Sequence, residues 1–347
     1  MGPGRGALEC RVLLADGTTA RALAFADLVG VPEPGQRVLL NTSALARGLG
    51  TGGYALVVAL PDALPADPPP GPGHLVKARY TPLQAMVLGV DEQESPHHAL
   101  LAEADDLHGT PVVVADLHSA LPAVVAGVRE RAPGARVAYV MTDGGALPVA
   151  FSRTVAGLRE AGWLAACVTT GQAFGGDLEA ATVHTGLLAA HLVVGADVVV
   201  VAQGPGNLGT GSRWGFSGVA AGEALNAAAL LRGRAVAALR VSQADPRERH
   251  RGVSHHSVTA VGRVALLPAD VVVAAEEGAF AEGVRERARA LCGDRHRLVE
   301  VDAAGLDAAL AACPVPLSTM GRGPQQDRAS FVAAAAAGRH AADLLGR

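Results

Sequence analysis

The chain has 347 residues, a formal charge of −4 and a hydrophobic half, enough for one large or two ordinary domains with a real core. The mildly acidic balance argues against a generic nucleic-acid footprint. No run approaches the roughly 18 to 20 apolar residues of a membrane span. The amino terminus lacks a signal-peptide pattern, so the expected protein is soluble and cytoplasmic.

Cys10, Cys167, Cys292 and Cys313 are far apart and form no CxxC, which gives neither a disulfide framework nor a sulfur zinc site. The chain has a single lysine, Lys77, and no isoleucine, while arginine and alanine abound. That bias marks a GC-rich bacterial genome and makes the surviving lysine worth noting, because arginine does not replace it in every role.

In chain order, residues 1–60 read as short strands. Asp16-Gly17 is a tight-turn signal between Glu9–Leu14 and Thr19–Phe25. Further strands are expected near Arg37–Leu40 and Tyr54–Leu60, and together they suggest a small β-barrel-like module. Five arginines balance five acidic residues through Asp62, and only Phe25 and Tyr54 could stack a base. A docking role therefore fits that module better than nucleic-acid binding. Residues 61–73 hold six prolines and read as a linker.

Residues 74–347 read as an α/β domain. Strands are expected at Val112–Ala115, Val137–Met141, Cys167–Thr169, Val198–Ala202 and Ala235–Val241. Helices are expected over Ala120–Arg131 (capped by Ser119), Leu147–Ala161, Asp177–Val194 and Gly218–Leu231 (capped by Ser217). Later strands fall near Val271–Val273 and Leu298–Val301, and later helices near Glu282–Leu291, Gly305–Ala312 and Ala329–Leu345. Repeated βα units imply a Rossmann-like parallel sheet with helices on both faces. The apolar run Ala333–Ala337 suits either the core or a homo-oligomer interface.

In such a sheet, ligands bind beyond the carboxyl ends of the strands. Those ends carry Asp116-Leu-His118, Asp143-Gly-Gly, Gly171 to Asp177, Gln203 to Gly211, and Arg247 to Ser257. Gly204, Gly206 and Gly209 match G-x-G-x-x-G after a strand, and with Asn207 and Gly211 suggest a backbone cradle for phosphate or carboxylate. No acidic residue follows at ribose-binding distance, which argues against a dinucleotide site. Asp116 and His118 could hold a divalent metal, zinc or manganese, with Asp143, His255 or His256 completing the set. The same groups could serve as general acid and base. Lys77 could bring positive charge to an anionic ligand, as could Arg213, Arg247, Arg249 and Arg251.

The stretches GHLVKARYTPLQ (73–84), VLGVDEQESPHH (87–98), VVADLHSALPAV (113–124), YVMTDGGALP (139–148), GQAFGGDLEA (171–180), QGPGNLGTG (203–211) and ADPRERHRGVSHHS (244–257) carry a resemblance. By these the chain resembles a bacterial family, domain of unknown function 3866, over nearly its whole length. The resemblance implies no activity, cofactor or catalytic residue. Two functions remain open on the residues. One is an enzyme acting on a small anionic ligand by metal-assisted hydrolysis or group transfer. The other is a non-catalytic regulatory protein that binds a nucleotide or metabolite.

Overall fold

Four short strands begin the computed structural model, which describes residues 6–49, 52–66, 71–145 and 147–346. They are β1 (Ala7–Leu13), β2 (Thr19–Phe25), β3 (Leu39–Asn41) and β4 (Ala55–Ala59), in the order β1-β2-β4-β3. The hairpin forms where expected, because Asp16 Oδ1 accepts from the Thr18 amide at 2.9 Å and from its hydroxyl at 2.6 Å. The expected barrel is not shown. β3 has three residues and an irregular register at Leu39/Leu40, so β1 and β3 remain the edges of a small open sheet. Residues 67–70 of the proline-rich segment lie outside the described residues. After them, β5 (Leu75–Lys77) and β6 (Ala85–Val87) pair as an antiparallel ribbon.

The body of the protein is an eight-stranded parallel sheet flanked by helices. Its strands are β7 (Pro111–Val114), β8 (Val137–Thr142), β9 (Ala166–Thr170), β10 (Leu178–Ala180), β11 (Val198–Gln203), β12 (Arg234–Ala238), β15 (Asp270–Ala275) and β16 (Arg297–Asp302). Between β12 and β15, the short strands β13 (Val241–Ser242) and β14 (Gly252–Val253) pair with each other, antiparallel. Alternate residues of one strand enter opposite cores: Val112 and Val114 pack on one face, Val113 and Ala115 on the other. Burial on both faces explains why these strands read as continuous valine runs. Among the described residues no helix is long and apolar enough to cross a membrane.

The sheet order is β10-β9-β8-β11-β7-β12-β15-β16. The chain leaves β7 toward β8, β9 and β10 on one side. It returns as β11 into the gap between β8 and β7, then crosses to β12 on the other side. That insertion departs from the usual dinucleotide-binding order, in which the first strand is flanked by the second and the fourth. It also makes the carboxyl ends of β7 and β11 the point where the connections part. A crevice opens at such a switch point.

Several local expectations change. The Ala120–Arg131 helix opens with a 3-10 turn at His118–Ala120 and runs over Leu121–Arg131, and the Ser119 hydroxyl donates to Thr319 Oγ1 at 3.0 Å rather than capping it. The helix expected over Leu147–Ala161 begins only at Arg153, where Ser152 caps it by accepting from the Val155 amide at 3.0 Å. The segment expected as helix from Asp177 first adds β10 to the sheet edge, because Asp177 pairs with the Cys167 backbone, and the helix starts at Val183 under a Thr182 cap. The carboxy-terminal helix Arg328–Asp343 is core. It lies against Leu121–Arg131 so closely that a Cβ on Gly127 would sit 1.9 Å from the Ala335 carbonyl oxygen, and one on Gly338 would sit 1.9 Å from that of Val124.

Candidate functional site

The loops after β7, β11 and β12 converge at the switch point, and each delivers a polar side chain. Asp116 follows β7, Asn207 follows β11, and Arg240 follows β12. The segment after β14 turns back under them, with Ser254 accepting from the His256 amide at 3.2 Å to start the short helix His255–Thr259. His256 is thereby brought to the strand ends. Its Nδ1 lies 3.3 Å from Asp116 Oδ2, 3.2 Å from Arg240 Nη1 and 3.4 Å from Asn207 Nδ2. Its ring lies flat on Phe216, with centroids 3.8 Å apart and planes 4° from parallel. Asn207 has its own anchor, since its Oδ1 accepts from the Ser217 hydroxyl at 2.9 Å and the Gly218 amide at 3.3 Å. Gly218 packs closely here, because a Cβ there would lie 3.1 Å from the Cβ and carbonyl oxygen of Asp116.

Two more imidazoles complete the group. His250, His255 and His256 each offer one ring nitrogen, and the three nitrogens lie within 4.8 Å of one another. His250 Nδ1 is 2.8 Å from Ser254 Oγ, which leaves its Nε2 for another partner. His255 Nε2 is buried and has no hydrogen-bond partner among the described residues. An orphaned buried nitrogen is costly unless something fills its lone pair. Burial, aided by the nearby guanidinium groups, pushes His250 down to about 3 and His255 down to about 4. Both rings are therefore neutral near pH 7, the form that ligates metal.

The surrounding charges balance. Asp245 is fully buried and is met by Arg247 at 2.9 Å, Arg322 at 3.1 Å and Arg240 at 3.8 Å. The Arg247 hydrogen bonds, chiefly, hold its carboxyl far below the usual range. Arg322 also reaches Asp327, whose carboxylate accepts from Ser242 and the Gln243 amide. Three carboxylates (Asp116, Asp245, Asp327) thus sit among three guanidinium groups and offset part of their charge.

A second constellation occupies the other side of β7. His118 Nε2 lies 2.7 Å from Ser152 Oγ, and His118 Nδ1 lies 3.1 Å from the Tyr139 hydroxyl. Tyr139 is completely buried and its hydroxyl has the carbonyls of Ala202 and Gln203 within donating distance, at 3.1 and 3.0 Å. Burial holds His118 down to about 4.

The structure therefore brings together Asp116, Asn207, His255 and His256 from the residues expected at a site, and separates them from others. Asp116 and His118 point to different partners and share no metal-ligand group. Asp143 accepts from the Gly145 amide within its own turn and from the Gln172 amide of the loop after β9, each at 3.2 Å. Lys77 is buried to 0 % exposure, with Nζ donating to the carbonyls of Gly171, Ala173 and Ala180 at 2.8 to 3.2 Å and 3.2 Å from Glu179 Oε2. It cannot reach a ligand, because every ammonium hydrogen is taken. The glycine-rich loop is no open phosphate cradle at its centre. The Leu208 amide donates to Ser217 Oγ and the Thr210 amide to the Gly215 carbonyl, while Gly209 bridges Phe216. Gly204 packs on Met141, Gly206 takes a positive φ of 101°, and Gly211 lies near Arg249. Of this loop, Asn207 is the residue whose side chain reaches His256.

Sequence reading missed Arg240, Tyr139 and Ser152, and it left His250 inside a basic stretch. Arg240 and Tyr139 sit in or beside apolar strands with no local motif. Ser152 was hidden by placing the helix start six residues too early. His250 carried a signal, its spacing to His255-His256, but H-x4-H-H is not a spacing that a single helix would explain.

The family comparison agrees with the long motifs. The model of the family described as Protein of unknown function (DUF3866) matches residues 21–338. The chain belongs to this family. Comparison with the curated proteins and with the solved structures gave no match. The match of this DUF3866 protein begins within β2 and spans the residues of the switch-point site.

Proposed function

We propose that this protein is a zinc-dependent hydrolase or group-transfer enzyme acting on a small anionic ligand. The observation that carries the proposal is the convergence of His250, His255 and His256, with the buried His255 Nε2 lacking any partner among the described residues. Tetrahedral zinc with nitrogen ligands near 2.05 Å requires N···N separations of about 3.3 Å, so a closure of about 1.5 Å from the 4.8 Å envelope would suffice. Three neutral imidazoles favour zinc over manganese, which prefers oxygen donors. Asp116 fits the part of the carboxylate that orients a ligating histidine through its other nitrogen. With three protein ligands, a fourth position stays open for substrate or water, and zinc there would polarise an oxygen at neutral pH. Arg213 and Arg249 are exposed in the segments around the site and carry no ion pair among the described residues. They suit a phosphate or carboxylate on the ligand. The four free thiols fit a reducing compartment, and we take the bacterial cytoplasm as its location.

The test is elemental analysis of the full chain after equilibration with zinc and gel filtration, on wild type, His255→Ala and His118→Ala. Wild type and His118→Ala should each retain near one zinc per chain, and His255→Ala should lose it. Retention in His255→Ala with loss in His118→Ala would overturn the assignment. Saturable, zinc-dependent binding of phosphate esters without turnover would contradict the enzyme reading and favour a binding protein.

A further inference from the structure

Between the open amino-terminal sheet and the main sheet lies a cleft of about 980 Å³. Leu8 and Leu23 line it from the first sheet, Val149 and Phe151 from the body, and His118 and Ser152 also face it. The first sheet is tied across the cleft at its polar rim. Arg153 pairs with Glu9 and donates to the Tyr54 hydroxyl at 3.1 Å, and Arg21 stacks over the Tyr54 ring at 4.1 Å.

The hydrogen bonds in the cleft wall run in one direction. The Tyr139 hydroxyl has two buried carbonyls within reach, and its proton goes to one of them. Its oxygen is then an acceptor, so His118 Nδ1 carries the hydrogen of that 3.1 Å contact. His118 Nε2 is left with its lone pair, 2.7 Å from Ser152 Oγ. Ser152 Oγ already accepts from the Val155 amide, so its own hydrogen points at Nε2. An N-cap serine needs only the amide contact. It does not need an imidazole in the opposite tautomer trained on the same oxygen, in the wall of a cavity large enough for a ligand.

We propose that Ser152 and His118 form a nucleophile–base pair for acyl transfer in this cleft, with Tyr139 as a positioning residue. The substrate class is an ester or thioester whose apolar acyl group lies along Leu8, Leu23, Val149 and Phe151. Ser152 Oγ attacks the acyl carbonyl carbon, forming a C–O bond, and its proton passes to His118 Nε2. The tetrahedral adduct collapses with cleavage of the bond to the alcohol or thiol, which leaves with the proton from Nε2. Water then adds to the acyl-serine, its proton again taken by Nε2. Collapse returns that proton to Ser152 and releases the carboxylic acid. The amides of Arg153 and Thr154, at the start of the helix Arg153–Glu160, lack intrahelical acceptors, and the proposal assigns them to the oxyanion. This activity is independent of zinc at His250, His255 and His256, since none of its groups is shared.

The experiment is labelling of the full chain with an alkyl fluorophosphonate, read by intact mass and peptide mapping, with and without EDTA. Attack by Ser152 forms a P–O bond and expels fluoride, and the serine proton passes to His118. Wild type should gain one adduct, on Ser152, at a rate unchanged by EDTA. His118→Gln should slow labelling by about 100-fold, the usual contribution of a general base. Ser152→Ala should abolish it. Because that change also removes a helix cap, Ser152→Asn serves as the second variant, keeping a capping oxygen without a nucleophile. No adduct on folded wild type, an adduct at another residue, or equal rates in His118→Gln would each overturn the proposal. The zinc assignment stands or falls separately, on metal content.

Discussion

Asp270 shows how far a single side chain's surroundings matter away from any site. It lies at the amino end of β15, where His340 Nε2 approaches at 2.8 Å and Arg297 at 2.5 Å. Burial alone would raise its pKa, but the hydrogen bonds from His340 and Arg297 outweigh that and bring it to about 2. A carboxyl lowered in the folded state stabilises the protein above its unfolded pKa, near 3.9, and the contribution is lost as pH falls through about 2. Arg297 is largely exposed, so solvent screening limits the gain to about 1 kcal/mol. Urea unfolding of Asp270→Asn should show that loss at pH 7 and a shrinking difference from wild type below pH 4; a constant difference would contradict this. Lys77 is the opposite kind of residue, since it has no screening at all. Lys77→Met leaves three carbonyls without this donor and Glu179 without its cation, and should lower stability by about 3 to 5 kcal/mol. A change under 1 kcal/mol in urea unfolding would show that Lys77 is dispensable to the fold.

At the level of elements, the contact between Leu121–Arg131 and Arg328–Asp343 sets the spacing of one face of the sheet. Alanine normally favours a helix over glycine by about 1 kcal/mol. At Gly127 the added methyl would instead collide with the Ala335 carbonyl, so the helices must separate. Gly127→Ala should therefore destabilise by about 1 to 3 kcal/mol in thermal unfolding, the usual cost of overpacking; a rise in stability would show the helices free to part. The elements most legible in the sequence were those with continuous apolar runs, such as β7, β8 and β11, since burial on both faces leaves a plain valine signature. Those misread were decided by contacts the sequence does not display. β10 forms because Asp177 finds the Cys167 backbone, and the start of the Arg153 helix is fixed by a serine shared with His118. Barrel closure failed as an expectation because short alternating strands do not specify whether their edges meet.

At the scale of the molecule, strand order decides what the site is. Polar carboxyl ends were visible residue by residue, so the edge where these side chains gather could be read directly. Which of those ends become neighbours could not. Insertion of β11 between β8 and β7 brings Asn207 beside Asp116, while His118, two residues on, faces the cleft on the other side. Asp116 and His118 thus belong to one loop in sequence and two surfaces in space. The zinc assignment rests on the return of the chain through β13 and β14, which carries His250, His255 and His256 under the switch point.

The most direct measurement is anomalous X-ray diffraction at the zinc edge from crystals equilibrated with the metal. One strong peak should lie about 2.0 to 2.1 Å from a nitrogen of each of His250, His255 and His256, with Asp116 still against His256. A peak between Asp116 and His118, or an unliganded triad at saturating zinc, would contradict the assignment.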